Sequence, residues 1–380
     1  MTKPKLLLVA DTYYPKVDGT LKFMEEFVKR AKDDFDLSLL VPSFGEERKN
    51  HLPITYVETS KLLSLSGYSS IKFSRKNRKL IKKTIEENDL IFIQGPALLS
   101  YLSIYYAAKR KKKSAYYLHV LSWELFTKFL PYLIRKPVSF ILKKISLYLY
   151  NCCNVILVPY KDLLEQLRKE HVTTNLEVAR LGVDINIFSQ TKEKEKYKEK
   201  LGIKSDKYVI GYVGRISKEK NVSILLEAFQ KLQGQEQLHL LIVGDGEEQQ
   251  KKMFKELTNC TITGFVPHVQ NYLKAMDVFV IPSLTETTSL ATLEAMSCAV
   301  PVIASRVGYI KNYLSKNHNG LFFPANDSTV LATKIEKLRQ DKELSQKLGE
   351  NARKTIAYSF SWERSINKIK KVLLELYYRP

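Results

Sequence analysis

The stretch YVIGYVGRISKEKNVSILLEAFQKLQGQEQLHLLIV, residues 208–243, reads as one strand–helix–strand unit. Tyr208–Val213 and Leu238–Val243 are short apolar runs with no period of two, the habit of parallel strands covered on both faces. Between them Val222–Leu232 has a helical pattern. Downstream the alternation continues with strands at Thr261–Phe265, Asp277–Ile281 and Val302–Ala304, and with helices at about Glu247–Leu257, Ser289–Ser297 and Ser328–Leu338. Upstream lies a separate series. It has strands at Lys5–Ala10, Leu37–Val41, Leu90–Gln94, Ser114–His119 and Asn154–Val158, and a first helix from about Thr20 to Lys32. Repetition of this kind calls for parallel sheets with right-handed crossovers. The fold class expected is α/β, two doubly wound domains with a ligand cleft between the carboxyl edges of their sheets.

Length and composition agree with that organisation. A chain of 380 residues suggests two or three domains, and 44% hydrophobic with 27% charged residues places it among globular proteins. Residues 186–207, NIFSQTKEKEKYKEKLGIKSDK, are dense in Lys and Glu and read as a linker holding one short charged helix. The expected boundaries are therefore 1–186 for the first domain, 187–206 for the linker and 207–361 for the second domain. A final helix over 362–380 is expected to cross back to the first. The opening MTKPKLLLVA reads as a first strand and not a signal peptide, and no apolar stretch approaches the roughly 20 residues of a spanning helix. Four cysteines, Cys152, Cys153, Cys260 and Cys298, show neither metal spacing nor a disulfide framework, which fits a reducing cytoplasm.

Two stretches carry chemistry. In VGRISKEKN (Val213–Asn221), Gly214 ends a strand, and Arg215 and Lys220 flank a turn that opens a helix. Two cations beside a helix N-terminus suit a diphosphate; read alone, they also suit an ordinary solvated surface. In IPSLTETTSLATLEAMSCAVPVIAS (Ile281–Ser305), Glu286 falls in a turn and Glu294 eight residues on, about 12 Å along a helix. That separation suits contacts with two hydroxyl-bearing groups of one extended ligand better than a shared proton or metal. Thr287, Thr288 and Ser289 between them offer backbone N–H groups to an anion. A dipole-stabilising Glu followed by a second Glu on a wet face is the plainer alternative.

Together these stretches resemble the family 4 glycosyltransferases of GT-B fold. The resemblance rests on Glu286-x7-Glu294 running into EAMSCAVPVIA, on Val213-Gly214-Arg215 with Lys220, and on Val243–Gly246 (VGDG). Gly264-Phe265-Val266 and Ala275–Ser283 (AMDVFVIPS) complete it. It covers roughly residues 208–325, and more weakly 5–20 and 178–188. It implies two Rossmann-like domains. It further implies that Arg215 and Lys220 hold the diphosphate of a nucleotide-sugar, that Glu286 binds hydroxyls of the donor sugar and that Glu294 binds the ribose. Gly214, Val266, Thr287, Thr288 and Ser289 complete the implied donor site. Gly19, in the loop Tyr14–Thr20, is implied to let the backbone approach donor and acceptor, and His119 to face the sugar. The chain departs from the family at Ser289 and Ala299, where Gly is common, and at Asp18-Gly19, where two glycines are usual. By the same resemblance the anomeric configuration is retained and neither metal nor cofactor is required. Asp34-Phe35-Asp36 is read as a surface loop, not a metal motif, and Gly244-Asp245-Gly246 is too short for a dinucleotide fingerprint.

The formal charge is +21, with 61 Lys and Arg against 40 Asp and Glu. Between Lys61 and Lys144 stand 18 Lys and Arg against 4 Asp and Glu, a local excess of 14. Clusters at Arg75, Lys76, Arg78 and Lys79 and at Lys109, Arg110, Lys111, Lys112 and Lys113 precede LFTKFLPYLIRKPVSFILKKISLYLY (Leu125–Tyr150). Trp123, Phe126 and Phe129 are the expected apolar anchors. Basic residues among such anchors suit a helix in an anionic bilayer interface, and also suit an amphipathic helix with a solvated outer face. No nucleic-acid module is visible and the aromatics accompany aliphatics, so nucleic acid is not an expected partner. The expected function is transfer of a hexose from a UDP-linked sugar to a membrane lipid of diacylglycerol type, on the cytoplasmic face. A polysaccharide or polyprenyl-linked oligosaccharide is the alternative acceptor. A non-catalytic nucleotide-sugar-binding protein and an epimerase are the readings from other classes.

Overall fold

The computed structural model describes the chain except residues 1–2, 16–17, 46–50, 66–67, 128–129, 255–256 and 380. It divides into two compact units, Met1–Arg180 with Glu363–Pro380, and Leu181–Trp362.

The first unit is built on eight strands: β1 (Lys5–Ala10), β2 (Asp36–Ser43), β3 (Ile54–Leu65), β4 (Tyr68–Ile71), β5 (Leu90–Gln94), β6 (Lys113–Tyr117), β7 (Val155–Val158) and β8 (Asn175–Val178). Their spatial order is β4-β3-β2-β1-β5-β6-β7-β8, parallel except for the β3–β4 hairpin. Interleaved are α1 (Gly19–Ala31), α2 (Arg75–Glu86), α3 (Leu98–Lys109), α4 (Ser122–Leu125), α5 (Tyr132–Asn151) and α6 (Lys161–Lys169). Helices cover both sheet faces, so β5 is buried at every position and β1 from Leu6 to Ala10. That is why neither strand alternates apolar with polar. Phe27 of α1 packs on Phe92 of β5 with ring centroids 5.0 Å apart. Asp18 caps α1, its Oδ1 accepting from the N–H groups of Thr20 at 2.9 Å and Leu21 at 3.0 Å, so the residue standing for the family's first glycine has a capping role. The C-terminal helix, Trp362–Tyr378, buries Ile366, Ile369 and Leu373. Its Lys370 binds Asp34 at 2.9 Å, and Lys113 donates to Tyr377 O at 3.0 Å.

The second unit holds six parallel strands: β9 (Tyr208–Val213), β10 (Leu238–Val243), β11 (Cys260–Ile262), β12 (Val278–Ile281), β13 (Val302–Ser305) and β14 (Leu321–Phe323). They stand in the order β11-β10-β9-β12-β13-β14. Its helices are α7 (Lys194–Lys200), α8 (Val222–Lys231), α9 (Glu248–Lys252), α10 (Val269–Ala275), α11 (Leu290–Ser297), α12 (Ile310–Tyr313), α13 (Ser328–Gln340) and α14 (Lys342–Ser359). In each sheet the strand order reverses direction once, between β1 and β5 and between β9 and β12, and the carboxyl ends at such a reversal are where open α/β sheets bind ligands.

Three expectations need correction. Residues 187–206 lie inside the second unit and are not a linker. Lys194 and Lys198 both bind Asp277, at 3.0 and 2.8 Å, and Lys198 is buried. A run of charged residues thus closes one end of the sheet by burying its alkyl stems. The helix expected over Glu247–Leu257 runs only from Glu248 to Lys252. The strand expected over Thr261–Phe265 ends at Ile262, because Gly264 at φ 68 turns the chain outward and leaves Phe265 exposed.

Candidate active site

At the reversal in the second sheet, two strand-end loops run in backbone contact. Gly214 N–H donates to Val243 O at 3.0 Å, Ile216 N–H to Asp245 O at 2.9 Å and Glu247 N–H to Ile216 O at 2.9 Å. A Cβ on Gly244 or Gly246 would overlap the carbonyls of Gly214 or Ile216, which explains the glycines of the VGDG stretch by close approach. Beyond this, Lys218–Lys220 form a single 3₁₀ turn, and Asn221 at φ 53 leads into α8. Arg215 is 59% exposed and pairs with Glu219 at 2.6 Å. Lys220 Nζ lies 2.6 Å from Glu286 Oε1, which also accepts from Ser283 Oγ at 2.9 Å. Leu284 N–H donates to Glu219 O at 2.9 Å. The loops after β9 and β12 are thereby tied together by a backbone bond and an ion pair, and Asn221 Nδ2 also donates to Pro282 O at 3.3 Å.

Thr287, Thr288 and Ser289 lead from Glu286 into α11, and Ser289 adopts φ 55. Among the described residues none of their three N–H groups donates to the protein, and the buried Thr288 Oγ1 has no partner. Glu294 sits in α11 and is buried. Val266 follows the Gly264 turn and is half-buried. The structure thus brings Gly214, Arg215, Lys220, Glu286 and the 287–289 loop to one sheet edge. Among the described residues no group of three His, Cys, Asp or Glu side chains could hold a metal ion.

Next to the reversal in the first sheet, His119 follows β6 and its Nε2 is 2.8 Å from Gln94 Oε1 at the end of β5, one of the two strands of the reversal. Its ring meets Phe23 edge-on at 5.1 Å and Tyr117 at 4.6 Å. Burial holds its imidazolium far below the usual range, at about 3, so the ring is neutral. Gly19 is the first residue of α1. Sequence reasoning missed Asp11 and Gln94. Asp11, just after β1, accepts from Ala97 N–H at 2.8 Å and Ser100 N–H at 3.2 Å. It caps α3, whose own N-cap Ala97 supplies no side-chain acceptor. Burial lifts its carboxyl to about 6 against the lowering by those hydrogen bonds. An Asp at a strand end was the one signal available for it.

The expected docking residues divide. Trp123 is 6% exposed and its ring lies 6.2 Å from Tyr150, so it is a core residue and not a surface anchor. Lys112 donates to Glu86 O and Asn88 O, both at 2.8 Å, and Lys113 to the C-terminal helix, so both are spent on carbonyl groups. Lys76 pairs with Glu58 and Arg110 with Glu86. Arg75, Lys79, Lys109 and Lys111 are exposed, and Arg78 is half-buried over the ring of Phe73 at 4.9 Å. Phe126 is half-buried, and Phe129 lies outside the described residues. Among the described residues α5 carries a run of exposed apolar groups, Leu133 at 87%, Phe140 at 62%, and Ile134, Ile141, Ile145 and Tyr148, and Phe73 at 64% stands beside the Arg75–Lys79 cluster. No helix among the described residues is long and apolar enough to cross a membrane.

Two doubly wound units, one presenting cations and a carboxylate at its switch point, are the elements of the GT-B fold. Residues 17–187 match the model of Glycosyltransferase Family 4, and residues 193–355 that of Glycosyl transferases group 1. The chain belongs to the family 4 glycosyltransferases of GT-B fold. It is 26% identical over 308 residues to the alpha-monoglucosyldiacylglycerol synthase of Acholeplasma laidlawii, spanning 76% of this chain and 75% of that one. To the UDP-Gal:alpha-D-GlcNAc-diphosphoundecaprenol alpha-1,3-galactosyltransferase of Escherichia coli it is 29% identical over 255 residues, 64% and 65% of the two chains. Among solved structures, Anabaena HepE in complex with UDP superposes with a TM-score of 0.79 at 19% identity, covering 98% of this chain and 100% of that one.

Proposed function

We propose that this glycosyltransferase moves a hexose, with retention and without a metal, from a UDP-linked sugar to a hydroxyl of a diacylglycerol-type lipid. The observation that carries the reading is the pairing of a cationic donor edge with the exposed apolar face of α5. Arg215, Lys220 and the N–H groups of Thr287, Thr288 and Ser289 bind the diphosphate and offset charge as it leaves. Glu286 accepts from hydroxyls of the sugar, and Glu294 from those of the ribose. Gly214 and Val266 line the donor, and Gly19 admits its phosphates. His119 carries its proton on Nε2 towards Gln94 and presents Nδ1 as an acceptor to the sugar. In a front-face substitution the bond from the anomeric carbon to the phosphate oxygen breaks as the acceptor oxygen bonds to the same face, and the departing phosphate takes the acceptor's proton.

The lipid acceptor is supported by α5, where Arg135, Lys136 and Lys144 flank the exposed side chains, and by the name of the Acholeplasma relative. Such a face lies in an anionic interface, with apolar groups among the acyl chains and cations at the headgroups. We place the enzyme on the cytoplasmic side of the membrane, where nucleotide-sugars are at hand. The name of the Escherichia relative supports a second reading, a polyprenyl-linked oligosaccharide acceptor. The test is incubation of radiolabelled UDP- and GDP-sugars with liposomes of diacylglycerol and anionic lipid, followed by partition into organic solvent. Label in the organic phase with a UDP-sugar is the expected result. Label that remains aqueous while the protein binds UDP removes the lipid reading. Glu286→Gln abolishing turnover excludes a purely binding role.

A further inference from the structure

Three successive carbonyl groups ahead of α11 are gripped from one side by a single turn. Gly308 adopts φ 53, and a Cβ on it would overlap the carbonyl oxygen of Glu286. Tyr309 N–H donates to Thr287 O at 3.0 Å, and the Tyr313 hydroxyl donates to Thr288 O at 2.7 Å. The three residues belong to one segment, Gly308–Tyr313, that leads from β13 into and through α12. Tyr313 is itself buried, with its ring 5.7 Å from that of Tyr309 and 5.5 Å from that of Phe360. Packing therefore fixes where its hydroxyl sits.

The consequence follows from the planarity of the peptide group. In a trans peptide the C=O and N–H point in opposite directions. Holding the carbonyls of 286, 287 and 288 against the 308–313 turn therefore directs the N–H groups of Thr287, Thr288 and Ser289 away from it. These are the three donors that find no acceptor among the described residues, and the orphaned Thr288 Oγ1 lies among them. Successive N–H groups aligned in this way form a concavity for an anion. The left-handed Ser289, where a side chain is disfavoured, persists because its surroundings over-determine it.

The geometry points to Tyr313, with Gly308 and Tyr309, as the positioning device that aligns the N–H groups of Thr287, Thr288 and Ser289 on the diphosphate of the donor. This rests on the donor-loop reading above and adds residues that touch no substrate themselves. Tyr313 sets the alignment because its hydroxyl reaches the last of the three carbonyls, next to the left-handed residue.

Tyr313→Phe removes the hydroxyl and nothing else. In the full-length enzyme it raises the dissociation constant for UDP and the KM for the UDP-sugar by about fivefold, the scale of one lost hydrogen bond. The KM for the acceptor stays unchanged. Hydrogen exchange in the segment 284–293 becomes faster in the free protein and is slowed less by UDP. Thr355→Val is the comparison, since it breaks the 3.0 Å bond from Asn319 Nδ2, an amide that also donates to Tyr313 O at 2.9 Å, without touching 286–288. It lowers stability and leaves UDP affinity alone. Equal UDP affinity and unchanged exchange at 284–293 in Tyr313→Phe, with only stability lost as in Thr355→Val, would overturn the positioning role. A different failure is recognisable: if the wild type and Lys220→Ala bind UDP equally well, the donor loop itself has been misassigned and the proposal falls with it.

Discussion

Lys220 and Glu286, 66 residues apart in sequence, meet at 2.6 Å from Nζ to Oε1 and so join the loops that follow β9 and β12. The carboxylate is the more enclosed partner, 9% exposed against 20% for the lysine side chain. Removing the lysine leaves Glu286 with Ser283 as its one remaining side-chain partner among the described residues. Lys220→Ala is expected to destabilise the second unit by about 1–3 kcal/mol through that uncompensated charge. Glu286→Gln, which keeps the shape and removes the charge, is expected to cost less than Lys220→Ala, and the double variant less than the sum. Turnover separates structure from chemistry. Each single variant should lower kcat by roughly 100-fold or more if the pair meets the donor, whereas a purely structural pair would lose stability and keep its rate. Denaturant titration and initial rates on the same preparations decide it.

Ala299 is the residue after the C-cap of α11 and adopts φ 58. Its N–H donates to Met296 O at 3.0 Å, and Val300 N–H to Ala295 O at 3.1 Å. Helices usually end this way on glycine, and here the chain departs from its family by one methyl group. Ala299→Gly is expected to raise stability by about 1 kcal/mol, since relief of the left-handed strain exceeds the added chain entropy, and to leave kinetics unchanged. Gly349→Ala tests the packing of the same corner, because its Cβ would overlap Ala299 O. That change should destabilise by about 2 kcal/mol or more. Thermal and denaturant midpoints of the two variants should move in opposite directions.

The parts of this fold that were legible in the sequence are those whose burial is complete. β1, β5, β9 and β10 run exactly as long as their apolar stretches because both faces are covered. The β3–β4 hairpin, which includes polar residues such as Thr59 and Ser64, offered no comparable pattern. The 187–206 segment misled because Lys198 hides its stem while its charge is met by Asp277, 79 positions away in the chain. At the site, residue types and spacing singled out Arg215, Lys220, Glu286 and the 287–289 loop only as candidates beside a plainer surface reading, and it was the family resemblance that gave them roles. The Gly308–Tyr313 turn stayed invisible, since a buried tyrosine hydroxyl reads in sequence like any core aromatic. Trp123 was misplaced for the converse reason: a tryptophan beside basic residues does not reveal which way its helix faces.

His119 and Asp11 give the first sheet's edge opposite responses to pH. The folded-state value for His119, about 3, lies below the 6.5 of the unfolded chain. Its stabilising contribution is therefore complete above about pH 6.5 and is lost progressively as pH falls towards 3. Asp11 is raised from 3.8 to about 6, so its contribution is complete below 3.8 and is lost as pH rises through 6. Between pH 7.5 and 5 the histidine should cost about 2 kcal/mol and the aspartate return about 1. His119→Gln, which keeps a partner for Gln94, isolates the first effect. Measured against the wild type, its stability should improve by about 2 kcal/mol on going from pH 7.5 to 5. A difference that stays constant with pH would mean that the imidazole protonates in the folded protein near 6.5, as it does in the unfolded chain, and that burial does not hold it neutral.

The exposed face of α5 and the buried Trp123 make opposite predictions under mutation, and so separate membrane docking from ordinary packing. Leu133, Phe140 and Ile141 contribute little to the folded core because they face solvent. Phe140→Ser with Ile141→Ser should leave the unfolding midpoint within the usual range for surface changes, about 0.5 kcal/mol. In sedimentation with vesicles containing anionic lipid, the same variant should lose binding by tenfold or more, since two large apolar side chains no longer enter the interface. Trp123→Ala should do the reverse, destabilising by about 3–5 kcal/mol while leaving vesicle affinity of the folded fraction unchanged. Raising the salt from 0.1 to 1 M should weaken the wild type's vesicle binding by screening Arg135, Lys136 and Lys144. If the α5 variant sediments with vesicles as well as the wild type does, the apolar face serves some other contact and the lipid acceptor loses its main structural support.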